Sequence, residues 1–242
     1  MAATLSLREA LNESISSGRF EDTKVILYSR RDSSGKICRP RALYASSHVL
    51  KSVPYFNDLL SGTFAEAESK DFSEAIDDGE TAEDYGYYSD SDLEDDDHVA
   101  NSTGPLETAA SSGEDSSSQP SSYFGNDNLP CAHDDFRKRP QQGKIIKVQD
   151  VAFVTWRSLF FYLYTDSIQF APLKSQGANA RAQYLREQTT PDRPPPCSPK
   201  TIYSIATKLE IKALRDIAFD DIRSKVTAEN VTIALFSDFA SR

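Results

Sequence analysis

One feature constrains this chain more than any other: between Asp71 and Asp135 lie nineteen Asp and Glu residues and no Lys or Arg. The block is rich in Ser and Gly, as at Ser111-Ser112-Gly113-Glu114-Asp115-Ser116-Ser117-Ser118, and poor in aliphatics. Such a composition buries too little apolar surface to offset an ordering entropy of ~1–2 kcal/mol per residue. Residues 71–143 are therefore expected to form a disordered acidic insertion. The rest of the chain holds 18 acidic against 27 basic residues, so the formal net charge of −10 describes a mildly basic protein carrying an acidic block.

A second break is expected over residues 172–197. It ends in Pro191-Asp192-Arg193-Pro194-Pro195-Pro196, which favours extended polyproline backbone and no sheet. Residues 1–70, 144–171 and 198–242 remain, about 143 in all, the size of one hydrophobic core. No apolar run approaches ~18 residues, so no membrane-spanning helix is expected, and Met1 to Ala10 lacks the form of a secretory signal. Cys38, Cys131 and Cys197 are odd in number and in no ligand spacing, against a disulfide framework or a zinc site. A reducing, cytoplasmic or nuclear home follows, and Arg137-Lys138-Arg139-Pro140 is a short candidate import signal.

The remaining pieces carry clear periodicity. Ser6 and Glu9 have capping-box spacing ahead of a stripe of Leu7, Leu11 and Ile15, which predicts a helix within residues 1–19. Thr23 to Tyr28 and Ile37 to Tyr44 read as strands across a polar turn containing Gly35, with Pro40 marking an edge. Short helices are expected over Ser46 to Lys51 and Pro54 to Leu60, and a strand over Lys144 to Val148. Phe153 to Tyr164 is apolar almost all round and should be the buried central helix. Ser198-Pro199 opens another helix with a stripe of Ile202, Ile205, Ala206 and Leu209. A further stripe of Ala213, Leu214, Ile217 and Ala218 follows, then a last helix capped by Thr227. The order predicts an α+β fold, a small, mostly antiparallel or mixed sheet capped by a helical cluster.

Five segments in this order resemble a BTB/POZ domain: Phe20-Glu21-Asp22; Leu43 through Leu50; Pro54 through Glu66; Phe160-Phe161-Tyr162-Leu163-Tyr164-Thr165-Asp166; and Ile205 through Leu209 with Leu214. The likeness spans residues 20–230, with 231–242 beginning a C-terminal helical extension, and the acidic insertion resembles that of fungal members. Ser46 stands where the family often has His, with His48 two positions on. The resemblance implies a protein-interaction module that homodimerises and acts as an adaptor or scaffold for a cullin-based ubiquitin ligase. The alternative is self-association in a transcriptional or structural complex without a cullin. In the cullin-binding subset an apolar residue, any residue and a Glu follow the second helix, a form that Phe64-Ala65-Glu66 has. Phe64 and Glu66 are thus the candidate cullin contact, against the bland reading that Phe64 packs on its own domain.

Leu7, Leu11 and Ile15 are either docked onto the domain's own core or packed against a second copy. Ser89 and Ser91, within Ser89-Asp90-Ser91-Asp92-Leu93-Glu94-Asp95-Asp96-Asp97, resemble substrates of acidic-directed kinases, and are candidate phosphosites. Asp90, Asp92 and Glu94 alternate as a calcium loop begins, but no Gly stands at the sixth place and Asn101 replaces the closing Glu. His48, His98 and His133 are scattered, and no phosphate loop or nucleophile elbow is present, so no enzyme activity, cofactor or metal is expected. Dispersed basic residues without a reading helix argue against direct nucleic-acid binding.

Overall fold

The computed structural model describes residues 11–12, 14–16, 20–61, 69–72, 81–82, 85–86, 90–95, 142–188 and 193–232. Strand β1 (Thr23–Arg31) lies at the centre of a mixed sheet ordered β2-β1-β5-β3. Its β-branched and aromatic residues favour a pleated surface, and Thr23 through Ser29 are all buried, as befits a strand covered on both faces. β2 (Ile37–Ala45) pairs antiparallel with it, from Thr23 opposite Ala45 to Arg31 opposite Ile37. The turn between them needs Gly35, whose φ of 84° lies in the left-handed region, while Asp32 Oδ1 accepts from the amides of Ser34 and Lys36. Pro40 sits opposite Tyr28 on the outer strand, where its missing N–H costs no ladder bond.

Two short helices follow, α1 (Ser47–Leu50) and α2 (Pro54–Ser61), then β3 (Ser69–Asp71). On the far edge of β1, β5 (Gln142–Lys147) runs parallel beside Thr23 to Ile26, and β4 (Glu94–Asp95) runs parallel beside Arg30 and Arg31. β3 closes antiparallel on β5. At Gly143 a Cβ would run into the Asp22 carbonyl and the Phe72 ring, so only glycine fits where β5 passes this chain segment. Helix α3 (Phe153–Thr165) is followed by a 3₁₀ turn (Lys174–Gln176), α4 (Ala178–Gln188), α5 (Pro199–Lys208) and α6 (Lys212–Lys225).

The main core draws on all three expected pieces: Val25, Leu27, Leu50 and Phe56 from the first, Trp156, Leu159 and Leu163 from the second, Ile202, Ile205 and Leu214 from the third. Trp156 is 1 % exposed and meets Phe56 and Phe160 edge-on at 5.7 and 5.8 Å, geometry that suits the ring quadrupoles. The fold is thus mixed α and β; the last expected helix, capped by Thr227, begins at residues 231–232 and otherwise lies outside the described residues. Among the described residues no helix is long and apolar enough to cross a membrane.

Three expectations are corrected. The acidic block does not begin as a free insertion. Phe72, Ala82, Tyr85, Asp90, Asp92 and Leu93 are buried, and a second apolar cluster joins Ala82, Tyr85 and Leu93 to Tyr28, Ile37 and Ala152. These few apolar residues, spaced through a charged run, cover the β1 side chains that the main core leaves bare. The break at 172–197 contains helix α4, and its ends are joined by Ala171 N–H donating to the Cys197 carbonyl at 2.8 Å and Cys197 N–H donating to Gln169 at 3.1 Å. On α6 the buried stripe is Leu214, Ala218 and Ile222, a strict four-residue spacing, whereas Ala213 and Ile217 are exposed.

Candidate functional site

Residues 11–12 and 14–16 are helical, and Ser16 Oγ donates to the Asn12 carbonyl one turn back. Leu11 and Ile15 are 43 % and 73 % exposed, so neither side chain docks into the domain's own core. Leu7, the first member of that stripe, lies outside the described residues, as do Phe64, Glu66 and Ser89. Helix α2, which leads toward Phe64, buries Phe56 and Leu60 and turns Tyr55 and Asp58 outward.

Three of the five segments that carry the resemblance converge at one point. The Asp22 carboxylate accepts from the Ser47 amide at 2.6 Å and from its hydroxyl at 2.5 Å, which occupies a free donor at the start of α1. The Ser46 amide donates to the Tyr164 hydroxyl at 2.8 Å, fixing the end of α3 beside α1. Burial pushes the Tyr164 phenol up, while its bond from Ser46 opposes that shift.

The most elaborate polar arrangement lies where no site is expected, in the acidic block. Asp90 Oδ2 accepts from Ala152 N–H at 2.9 Å, and Oδ1 from the Thr201 hydroxyl at 2.9 Å and Asp92 N–H at 3.0 Å. Asp92 Oδ2 accepts from the Thr155 hydroxyl at 2.8 Å and Ser198 N–H at 2.7 Å, and Oδ1 takes an ion pair from Arg181 Nη2 at 2.5 Å. Ala152 and Ser198 are the cap residues of α3 and α5, so two carboxylates satisfy two helix N-termini where the macrodipoles present positive charge. Arg181, 5 % exposed, also donates to the Pro172 carbonyl through Nη1 at 2.6 Å. This acidic clasp ties α3, α4 and α5 together.

Burial, and then the Asp92 charge beside it, push the Asp90 carboxyl up to about 7. The geometry accommodates a proton: the Thr201 hydroxyl can rotate to accept from Oδ1 instead of donating. Burial drives the Tyr85 phenol and the Cys197 thiol upward as well, with Asp92 adding to the effect on the thiol. Asp90 and Asp92 are therefore engaged by protein donors, and the alternation that resembles a calcium loop serves capping.

Sequence reasoning missed Asp90, Asp92 and Arg181 as partners. Two signals were there to find: Phe72, Tyr85 and Leu93 interrupt the acidic run with large apolar side chains, and Ala178 to Gln188 is made almost wholly of good helix formers. No family model, no curated protein and no solved structure matches the chain.

Proposed function

We propose that the chain is a protein-interaction module of BTB/POZ type that self-associates through its N-terminal helix and serves as an adaptor for a cullin-based ubiquitin ligase. The observation that supports self-association is the exposure of Leu11 and Ile15 on one helical turn ahead of β1. Apolar side chains four apart leave a stripe that a two-fold contact with a second copy would cover, each stripe meeting its equivalent. The mixed sheet, the buried helix α3 and the junction of Asp22, Ser46, Ser47 and Tyr164 are in keeping with the resemblance.

Sedimentation of the full chain at tens of micromolar tests the dimer. A two-chain species is expected, and Leu11→Asp with Ile15→Asp should return it to a monomer with the fold intact. A monomeric parent chain would end this reading. The adaptor role rests on Phe64 and Glu66, an aromatic anchor with a neighbouring carboxylate to select the partner. Capture by a cullin N-terminal domain is expected, and Phe64→Ala with Glu66→Ala should weaken it by about tenfold or more. Undiminished capture by that variant would remove the two residues from the contact.

A further inference from the structure

We propose that Ser91 is a phosphorylation site, and that its phosphoryl group and the docked state of residues 90–95 exclude one another. Ser91-Asp92-Leu93-Glu94 places carboxylates one and three positions after the hydroxyl, the charge pattern that a kinase with a basic substrate groove reads in an extended peptide. In the docked segment the first of those carboxylates is withdrawn and the backbone around Ser91 is held in place. Asp92 is 7 % exposed and turned onto Arg181, Thr155 and Ser198, and Asp90 on the other side of Ser91 is wholly buried. Leu93 is seated in the second apolar cluster, and the backbone of Glu94 and Asp95 pairs with that of Arg30 and Arg31 in the sheet, with the Glu94 side chain turned to solvent. A kinase must therefore take the segment after local opening, and the rate of modification reports the open population.

The transfer is that of any protein kinase. A bond forms between Ser91 Oγ and the γ-phosphorus of ATP, the bond from that phosphorus to the bridging oxygen breaks, ADP leaves, and the hydroxyl proton passes to the kinase's base. The product adds ~1.5–2 negative charges between two carboxylates that already share a dry site. Arg181, the cation in that site, is committed to Asp92, to the Pro172 carbonyl and, at 3.4 Å, to the Ser91 carbonyl itself. Arg30 is held by Glu94 at 3.5 Å. Redocking would thus set a dianion against Asp90 and Asp92 with its nearest cation already engaged. The undocked state frees the N-termini of α3 and α5 and uncovers Tyr28, Ile37 and Ala152.

The test uses the full chain carrying Ser89→Ala, an acidic-directed serine kinase and ATP, with a peptide of residues 86–98 as the always-open reference. Ser91 of the peptide should be modified, the intact chain about tenfold or more slower, and Arg181→Gln should close most of that gap. Thr201→Val, which removes only one hydroxyl from Asp90, should move the rate the same way in a chain whose helix content is unchanged. Once modified, the chain should lose amide-exchange protection at Ala152 and Ser198 while keeping it in β1. Equal rates for peptide and chain, a peptide left unmodified at Ser91, or a phosphorylated chain with both amides still protected would each overturn the proposal.

Discussion

Taking a carboxylate out of water costs several kcal/mol unless protein donors replace the lost hydration, and at Asp90 three donors do so. They do not fully offset the burial, the Asp92 charge beside it adds to the effect, and the Asp90 carboxyl is pushed up to about 7. Its proton affinity is thus higher in the fold than in the unfolded chain, where an ordinary carboxyl titrates near ~4. The stabilisation this gives is complete below about pH 4 and is lost as pH rises through about 7. Urea melts of the parent chain should show stability falling over that window. Asp90→Asn, neutral throughout, should flatten the slope over that window; an unchanged slope would place the titration elsewhere. Composition hides such a residue. Asp90 and Asp92 look like any other acid of the block in a charge count, and only the partners Ala152, Thr201 and Arg181, distant along the chain, mark them as interior.

Elements with a strong period were readable from the sequence, and those held by pairing alone were not. α3 and α5 declare themselves by a long apolar run and a clear stripe, so their positions agree with expectation to a residue or two, while β1 runs three residues past the expected Tyr28. β4 is two residues long and charged, and owes its existence to the Arg30–Arg31 edge. The α6 stripe was half legible, since Ala213 and Ile217 fit a helical face as well as Ile222 does until the neighbouring helix chooses. The end of α5 shows a different local rule. Ile211 N–H donates to the Ala206 carbonyl at 2.9 Å and Glu210 N–H to Thr207 at 3.2 Å, a Schellman closure with Glu210 at φ 59°. A side chain there pays a left-handed penalty of ~1 kcal/mol that glycine avoids. Glu210→Gly should raise stability by about 0.5–1 kcal/mol in the same melts, despite the extra freedom of the unfolded chain.

At the scale of the whole molecule, the described residues of the acidic block, Phe72, Ala82, Tyr85 and 90–95, are anchored on the sheet and the helices. Removing residues 97–140 and joining the ends with a short Gly/Ser linker should leave the thermal midpoint within a few degrees. Removing 71–143 should abolish cooperative melting, because most of the β3–β5 pairing, the Tyr85 and Leu93 cover and both capping carboxylates go together. Equal midpoints for the two deletions would contradict the clasp. Trp156, which is alone of its type in the chain, sits where the three core pieces meet, with its Nε1 donating to Asp150 at 3.2 Å. Its indole emission is consequently a built-in optical gauge of closure: blue-shifted while Phe56, Phe160 and the core around them shut out water, and red-shifted the moment any one of those pieces lets go.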